Sequence, residues 1–194
     1  MKPHAVLAIA ICAVLLTPSC KEVTKQRIVS ETPIKTEVLG LKLCDVSSEK
    51  AIEKAVSKEI SKKVYTESEK VGTGTIVRVI PIPPDLNYGG QFWHYVDVWL
   101  DENKKIVEIR ITASFESVER AKDHFDTATQ IFSQKYGKPN EEQQNVFWTD
   151  DTNSVGLLYH ESIAIDGDDR SFCELYYVNR ELVDAFEKAY TPDV

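Results

Sequence analysis

The stretch from Phe92 to Tyr136 constrains this chain most, because two different periodicities follow one another along it. From Phe92 to Leu100 the side chains alternate. Phe92, Val96, Val98 and Leu100 fall on one face, and Trp93, Tyr95, Asp97 and Trp99 on the other, which is the period of a strand. Val107, Ile109, Ile111 and Ala113 continue the alternation in a second strand. A four-residue turn from Asp101 to Lys104 then predicts a hairpin with Leu100 opposite Lys105, Val98 opposite Val107 and Val96 opposite Ile109, apolar against apolar. The same register sets Asp97 opposite Glu108 and Tyr95 opposite Arg110. Beyond the hairpin the period changes: Ser117 is placed to cap a helix, and Val118, Ala121, Phe125, Ala128, Phe132 and Tyr136 recur at three or four residues as one apolar stripe. Gly137 and Pro139 end it, since glycine accepts a left-handed cap and proline cannot continue a helix.

The flanking sequence repeats this vocabulary. Val38 to Leu43 reads as a first strand with Leu39, Leu41 and Leu43 on one side. Ser47 opens a helix with Ile52, Ala55, Val56 and Ile60 at helical spacing and a charged outer face. The pattern weakens over Val64 to Lys70. Gly72 and Gly74 mark a bend before a β-branched strand from Thr75 to Ile80, and the prolines at 81, 83 and 84 predict a loop, because they lack the N–H that a paired strand needs. Further strands follow over Val146 to Trp148, Val155 to Ile165 and Phe172 to Val178, with a tight turn at Asp166-Gly167. Asn179 caps a last helix whose apolar side is Leu182, Val183, Phe186 and Tyr190. A faint two-fold order emerges, a helix and then strands, starting at Ser47 and again at Ser117. It predicts an α+β fold: an antiparallel β-sheet with helices packed on one face.

The first residues address a different question. Met1 to His4 followed by the twelve apolar residues from Ala5 to Leu16 has the form of an export signal, and is too short to span a bilayer, which takes about 20 apolar residues. Leu15-Leu16-Thr17-Pro18-Ser19-Cys20 resembles the lipobox of bacterial lipoproteins, which implies cleavage before Cys20 and acylation of its thiol; ordinary cleavage near Ser19, leaving Cys20 as a free or paired thiol, is the alternative. The expected organisation is a signal peptide over 1–19, a lipid-anchored tether over 20–35 and a single α+β domain over 36–194. Loss of the leader removes one cation, Lys2, and moves the formal charge from -8 to -9. So acidic a body, without a basic stripe, excludes nucleic acid as an expected partner. Cys12 leaves with the leader, and Cys44 and Cys173 remain; an oxidising compartment can join them, and two buried apolar thiols account for them equally well.

Gly89-Gly90-Gln91-Phe92, the aromatic strand after it, Val107-Glu108-Ile109-Arg110-Ile111 and the helix ending Lys135-Tyr136-Gly137-Lys138-Pro139 together resemble uncharacterised lipoproteins exported by Bacteroidetes. The layout is also similar to β-lactamase-inhibitor-like and small outer-membrane assembly lipoprotein folds. The detailed similarity spans Tyr88 to Trp148. It implies an exported protein held on the periplasmic or cell-surface side of an envelope membrane, and it brings no catalytic residues.

The leading candidate site is the aromatic set Trp93, Tyr95 and Trp99. Flat rings on a strand can stack on sugars or anchor a partner protein; covered by a helix, the same rings would be core. Asp97 facing Glu108 would form a carboxylate pair capable of acid/base work, or an ion pair with Arg110 nearby. Asp150, Asp151, Asp166, Asp168 and Asp169 lie in turns without the spacing of a calcium loop. His94, His124 and His160 show no metal spacing, and no nucleophile elbow or phosphate loop occurs. The expectation is a non-catalytic binding module without metal or cofactor, taking an envelope protein as partner, or alternatively a glycan.

Overall fold

The computed structural model describes residues 27–142, 144–165 and 168–182. Its first hairpin joins β1 (Glu37–Val38) to β2 (Leu41–Lys42). The sequence predicts one strand there. Instead Leu39 and Gly40 turn the chain with φ of 53° and 72°, because Gly40 tolerates the left-handed region and burial of Leu39 at 5% exposure offsets its strain.

Helix α1 (Glu49–Ile60) begins one residue later than predicted. The Ser48 side chain accepts from the Ala51 N–H, and Ile52 and Val56 are fully buried. Burying each such side chain contributes about 1.5–3 kcal/mol. The weak stretch after it is β3 (Lys63–Val71), paired along its whole length with β4 (Gly74–Ile82). Pro81 is inside β4, opposite Val64, where a loop is expected. Pairing of β4 to its other neighbour stops at Val79, so Pro81 lies where β4 has only β3 beside it, the edge-like position in which proline is tolerated.

A small hairpin of β5 (Leu86–Tyr88) and β6 (Gln91–Trp93) comes next, turned by Gly89 and Gly90, both at positive φ. Then β7 (Tyr95–Leu100) and β8 (Ile106–Phe115) form the central hairpin. Its register is displaced from the expected one: Leu100 faces Ile106, one residue along, and Val98 and Val96 face Ile109 and Ile111, two residues along. The irregularity at Trp99 and Leu100 absorbs Val107 as an extra residue. Beyond the bulge the displacement is even and keeps Val96, Val98, Ile109 and Ile111 on one face, which is why matching faces could not detect it.

Helix α2 (Val118–Tyr136) has the predicted ends, with Ser117 accepting from the Arg120 N–H and Gly137 closing it at φ 84°. Strands β9 (Asn140–Glu142), β10 (Asn145–Thr149), β11 (Asn153–Ile165) and β12 (Asp168–Asn179) complete the sheet. A helical turn starts at Arg180, where Asn179 Oδ1 accepts from the Leu182 N–H at 3.1 Å. Val183, Phe186 and Tyr190, and the turn at Asp166-Gly167, lie outside the described residues.

The sheet is antiparallel in the order β3-β4-β7-β8-β12-β11-β10-β9. The two-fold hint has a topological basis: each helix leads into one four-stranded half, and the halves meet through their last strands, β8 and β12. Both helices pack on one face, over Val77, Val79, Val96, Val98, Ile109, Ile111, Leu157 and Leu175. The edges are guarded. Strand β3 carries Lys63, Glu67, Glu69 and Lys70, while β9 is three residues long and includes two glutamates, both devices that discourage strand addition.

Cys44 and Cys173 are free thiols, the first exposed and the second buried, so the disulfide considered from sequence is absent. The Cys44 N–H donates to the Ile106 carbonyl at 2.8 Å, whereas Cys173 is opposite Ala113. Seven residues along β8 separate those positions by about 23 Å, and a disulfide needs Cα atoms within about 7 Å. In native protein Cys44 is therefore expected to alkylate while Cys173 reacts only after denaturation; protection of both thiols until reductant is added would contradict this.

Candidate functional site

The second face of the sheet carries the polar half of each alternating strand, and among the described residues no helix packs on it. One cross-strand row runs Arg78, Asp97, Arg110, Tyr176 and Gly156 over β4, β7, β8, β12 and β11. Trp99 and Glu108 face one another in the row to one side, and Tyr95, Thr112 and Glu174 form the row to the other.

Two guanidiniums serve three carboxylates in this lattice. Arg78 forks onto Asp97, with Nε to Oδ1 at 2.8 Å and Nη2 to Oδ2 at 2.9 Å. Arg110 donates through Nε to Glu108 Oε1 at 2.7 Å and through Nη1 to Glu174 Oε2 at 3.2 Å, and His160 Nε2 lies 3.2 Å from that same oxygen. The carboxylates are the more covered partners: Asp97, Glu108 and Glu174 side chains are 10%, 12% and 13% exposed, against 31% and 28% for Arg78 and Arg110. Burial pushes the Glu174 carboxyl up, but the bond to His160 and the Arg110 charge outweigh it and hold it below the usual glutamate value. The bond to Asp97 raises Arg78 further above its already high value.

The aromatic rings are part of the same lattice. The Arg78 guanidinium sits 4.4 Å over the Tyr95 ring and that of Arg110 5.5 Å over Trp99, within cation–π range. Tyr176 lies across Gly156, where any Cβ would overlap its ring, and donates to Asn145 Oδ1 at 2.9 Å. Each guanidinium is thus held by carboxylate on one side and ring on the other, so the surface is ordered before anything binds.

Of the three rings singled out from sequence, Tyr95 and Trp99 share this face and Trp93 does not. Trp93 is 1% exposed in the helix-covered core. Its Nε1 donates to the Tyr88 carbonyl at 2.9 Å and its ring meets His124 of α2 edge-on at 4.7 Å. The alternation breaks at His94, which falls between β6 and β7, donates its N–H to the Thr112 carbonyl and accepts from the Ser114 N–H at Nδ1. That one-residue irregularity reverses the faces, leaving Phe92 67% exposed instead of buried beside Val96. Nor do Asp97 and Glu108 face each other: Asp97 is opposite Arg110, and Glu108 opposite Trp99. Arg78, Glu174 and Tyr176 belong to no motif in the sequence, and His160 stands out there only as a histidine without metal spacing. The available signal for Arg78 was a lone cation inside an otherwise apolar strand.

The other sequence candidates are structural. Asp150 Oδ1 accepts from the N–H groups of Thr152 and Asn153, and Oδ2 from Ile34; burial pushes this carboxyl up and the three N–H groups bring it below the ordinary value. Asp166 and the side chains of Asp168 and Asp169 lie outside the described residues. Among the described residues no group of three metal-ligating side chains forms, and no helix is long and apolar enough to cross a membrane.

Burial, with the nearby His94, depresses the His124 pKa to about 4. A histidine depressed in the folded state favours folding while neutral. That contribution is present above the unfolded value near 6.5 and is lost as pH falls toward 4. Stability is therefore expected to drop on the order of 1–2 kcal/mol between about pH 7 and pH 5, and less in His124→Gln, as read by urea denaturation at each pH. An equal drop in that variant would assign the loss elsewhere.

Comparison with models of known protein families, with curated proteins and with solved structures finds no match to this chain.

Proposed function

We propose that the chain is an exported, lipid-anchored envelope protein that acts as a non-catalytic binding module, and that its charged aromatic sheet face docks a protein partner. The observation that carries this reading is the lattice of Tyr95, Trp99, Arg78 and Arg110. Tyrosine, tryptophan and arginine concentrate at the energetic centres of protein interfaces, and a surface already rigid loses little entropy on binding. The guarded edges favour the face over strand addition as the route of contact. Each carboxylate in the lattice is held by a guanidinium as a fixed ion-pair partner, which favours binding over acid/base chemistry. The apolar leader and Cys20 support export and acylation.

The glycan alternative is less well supported. Trp93 is buried, and the Tyr95 and Trp99 rings each have a guanidinium stacked on them where a sugar would lie. A protein can instead pack against ring edges and the paired charges.

Site-directed photo-crosslinking in envelope membranes tests the proposal. A photoreactive side chain at position 99 should trap a discrete protein adduct, and one at the exposed position 92 should not. Equal trapping at both, or none at 99, would remove the face as the docking surface. Turnover of any substrate that vanished in Asp97→Asn would overturn the non-catalytic reading.

A further inference from the structure

Residues 27–34 are not a loose tether. The Ile28 N–H donates to Asn140 Oδ1 and the Asn140 amide donates back to the Ile28 carbonyl, both at 2.8 Å, so the side chain acts like a neighbouring strand. Val29 bridges to Thr149, the Ser30 N–H donates to the Thr149 carbonyl at 2.8 Å, and Ser30 Oγ lies 3.1 Å from the Tyr136 carbonyl. The Ile34 N–H donates to Asp150 at 2.8 Å, and the Ile34 side chain is 4% exposed in the core. The chain therefore enters the domain at one fixed place, the β9–β10 end of the sheet.

Given the acylated Cys20 of the proposed function, a distance limit follows. Eight residues separate Cys20 from Ile28, and fully extended they reach at most about 26–29 Å. Strand β3 lies seven strand spacings from β9, about 33 Å. Resting the domain on β3 would lift Ile28 beyond the reach of the tether. We infer that the domain is held with its β9–β10 end toward the lipid surface and β3 away from it, since the inverted orientation is the one the tether cannot reach. Glu31, Glu141 and Glu142 at this edge are exposed and offer anionic headgroups no attraction, so the bias comes from where the tether joins the domain and not from charge.

The test uses the full acylated chain, with Cys44→Ser as background, in vesicles containing an acceptor-labelled headgroup. A donor fluorophore on Glu141→Cys should transfer energy several-fold better than one on Glu69→Cys, and about fifteen flexible residues inserted before Arg27 should shrink the difference, because the longer tether spans the domain. Equal or reversed transfer in protein whose N-terminal peptide carries acyl chains by mass spectrometry would overturn the orientation alone. A peptide without them would overturn the anchor and this inference with it.

Discussion

Trp93→Ala is expected to cost the fold about 3–5 kcal/mol, the range for emptying an aromatic site in a core. The indole is 1% exposed in the core, lies opposite Leu86 across the β5–β6 hairpin, meets His124 edge-on and ties its N–H to the Tyr88 carbonyl. Removing it opens a cavity between sheet and α2 and also leaves that carbonyl without this donor. Urea denaturation should show the midpoint falling sharply while Trp99→Ala, on the open face, changes it far less. If Trp93→Ala melted like the parent and lost binding instead, the burial described above would be wrong and the ring would belong to a ligand surface.

The second large effect is expected at the centre of the charged face. Arg110→Met keeps much of the side-chain volume but strands Glu108 and Glu174, whose side chains are 12% and 13% exposed. Breaking a buried pair costs about 3–5 kcal/mol, and the partial exposure of Arg110 reduces that to about 2–4 kcal/mol at neutral pH. The pH dependence separates charge from packing. Glu174 has a depressed pKa in the folded state, so its contribution is present above the unfolded carboxylate value and disappears as pH falls through the folded one. The penalty of Arg110→Met should therefore shrink in acid, where protonated carboxyls need no counter-charge. A penalty independent of pH would mean that the guanidinium contributes by packing on Trp99. Arg110→Lys should fall between the two, since a point charge cannot fork to both glutamates or stack flat.

Much of the architecture was legible because it rests on local rules. Ser117 and Gly137 delimit α2 by capping chemistry, which needs nothing beyond a few neighbouring residues. The apolar stripe and the alternating strands fixed the α+β class and the helix-covered face. The binding face was legible only in part. Tyr95, Asp97 and Trp99 are legible, but Arg78, which holds Asp97, and Glu174, which holds Arg110, come from strands 19 and 77 residues from Asp97 in the chain, and no spacing rule joins them. A one-residue irregularity at His94 moved Trp93 into the core, and a turn one residue longer than expected, together with the extra residue at Val107, re-paired Asp97 with Arg110.

What the residues settled unaided, then, were the periods, the ends of α2 and the acidic balance, the first two being properties of short windows. Only the tertiary structure decided which strands became neighbours, where a bulge reset the register, that Cys44 and Cys173 stay apart, and that residues 27–34 belong to the domain. The physical reason is that a two-residue slip leaves every side chain on its own face. The burial of the hairpin is then nearly unchanged, and the choice falls to contacts between distant segments: a guanidinium from β4 on Asp97, a carboxylate from β12 on Arg110, and an asparagine amide closing on the backbone of Ile28.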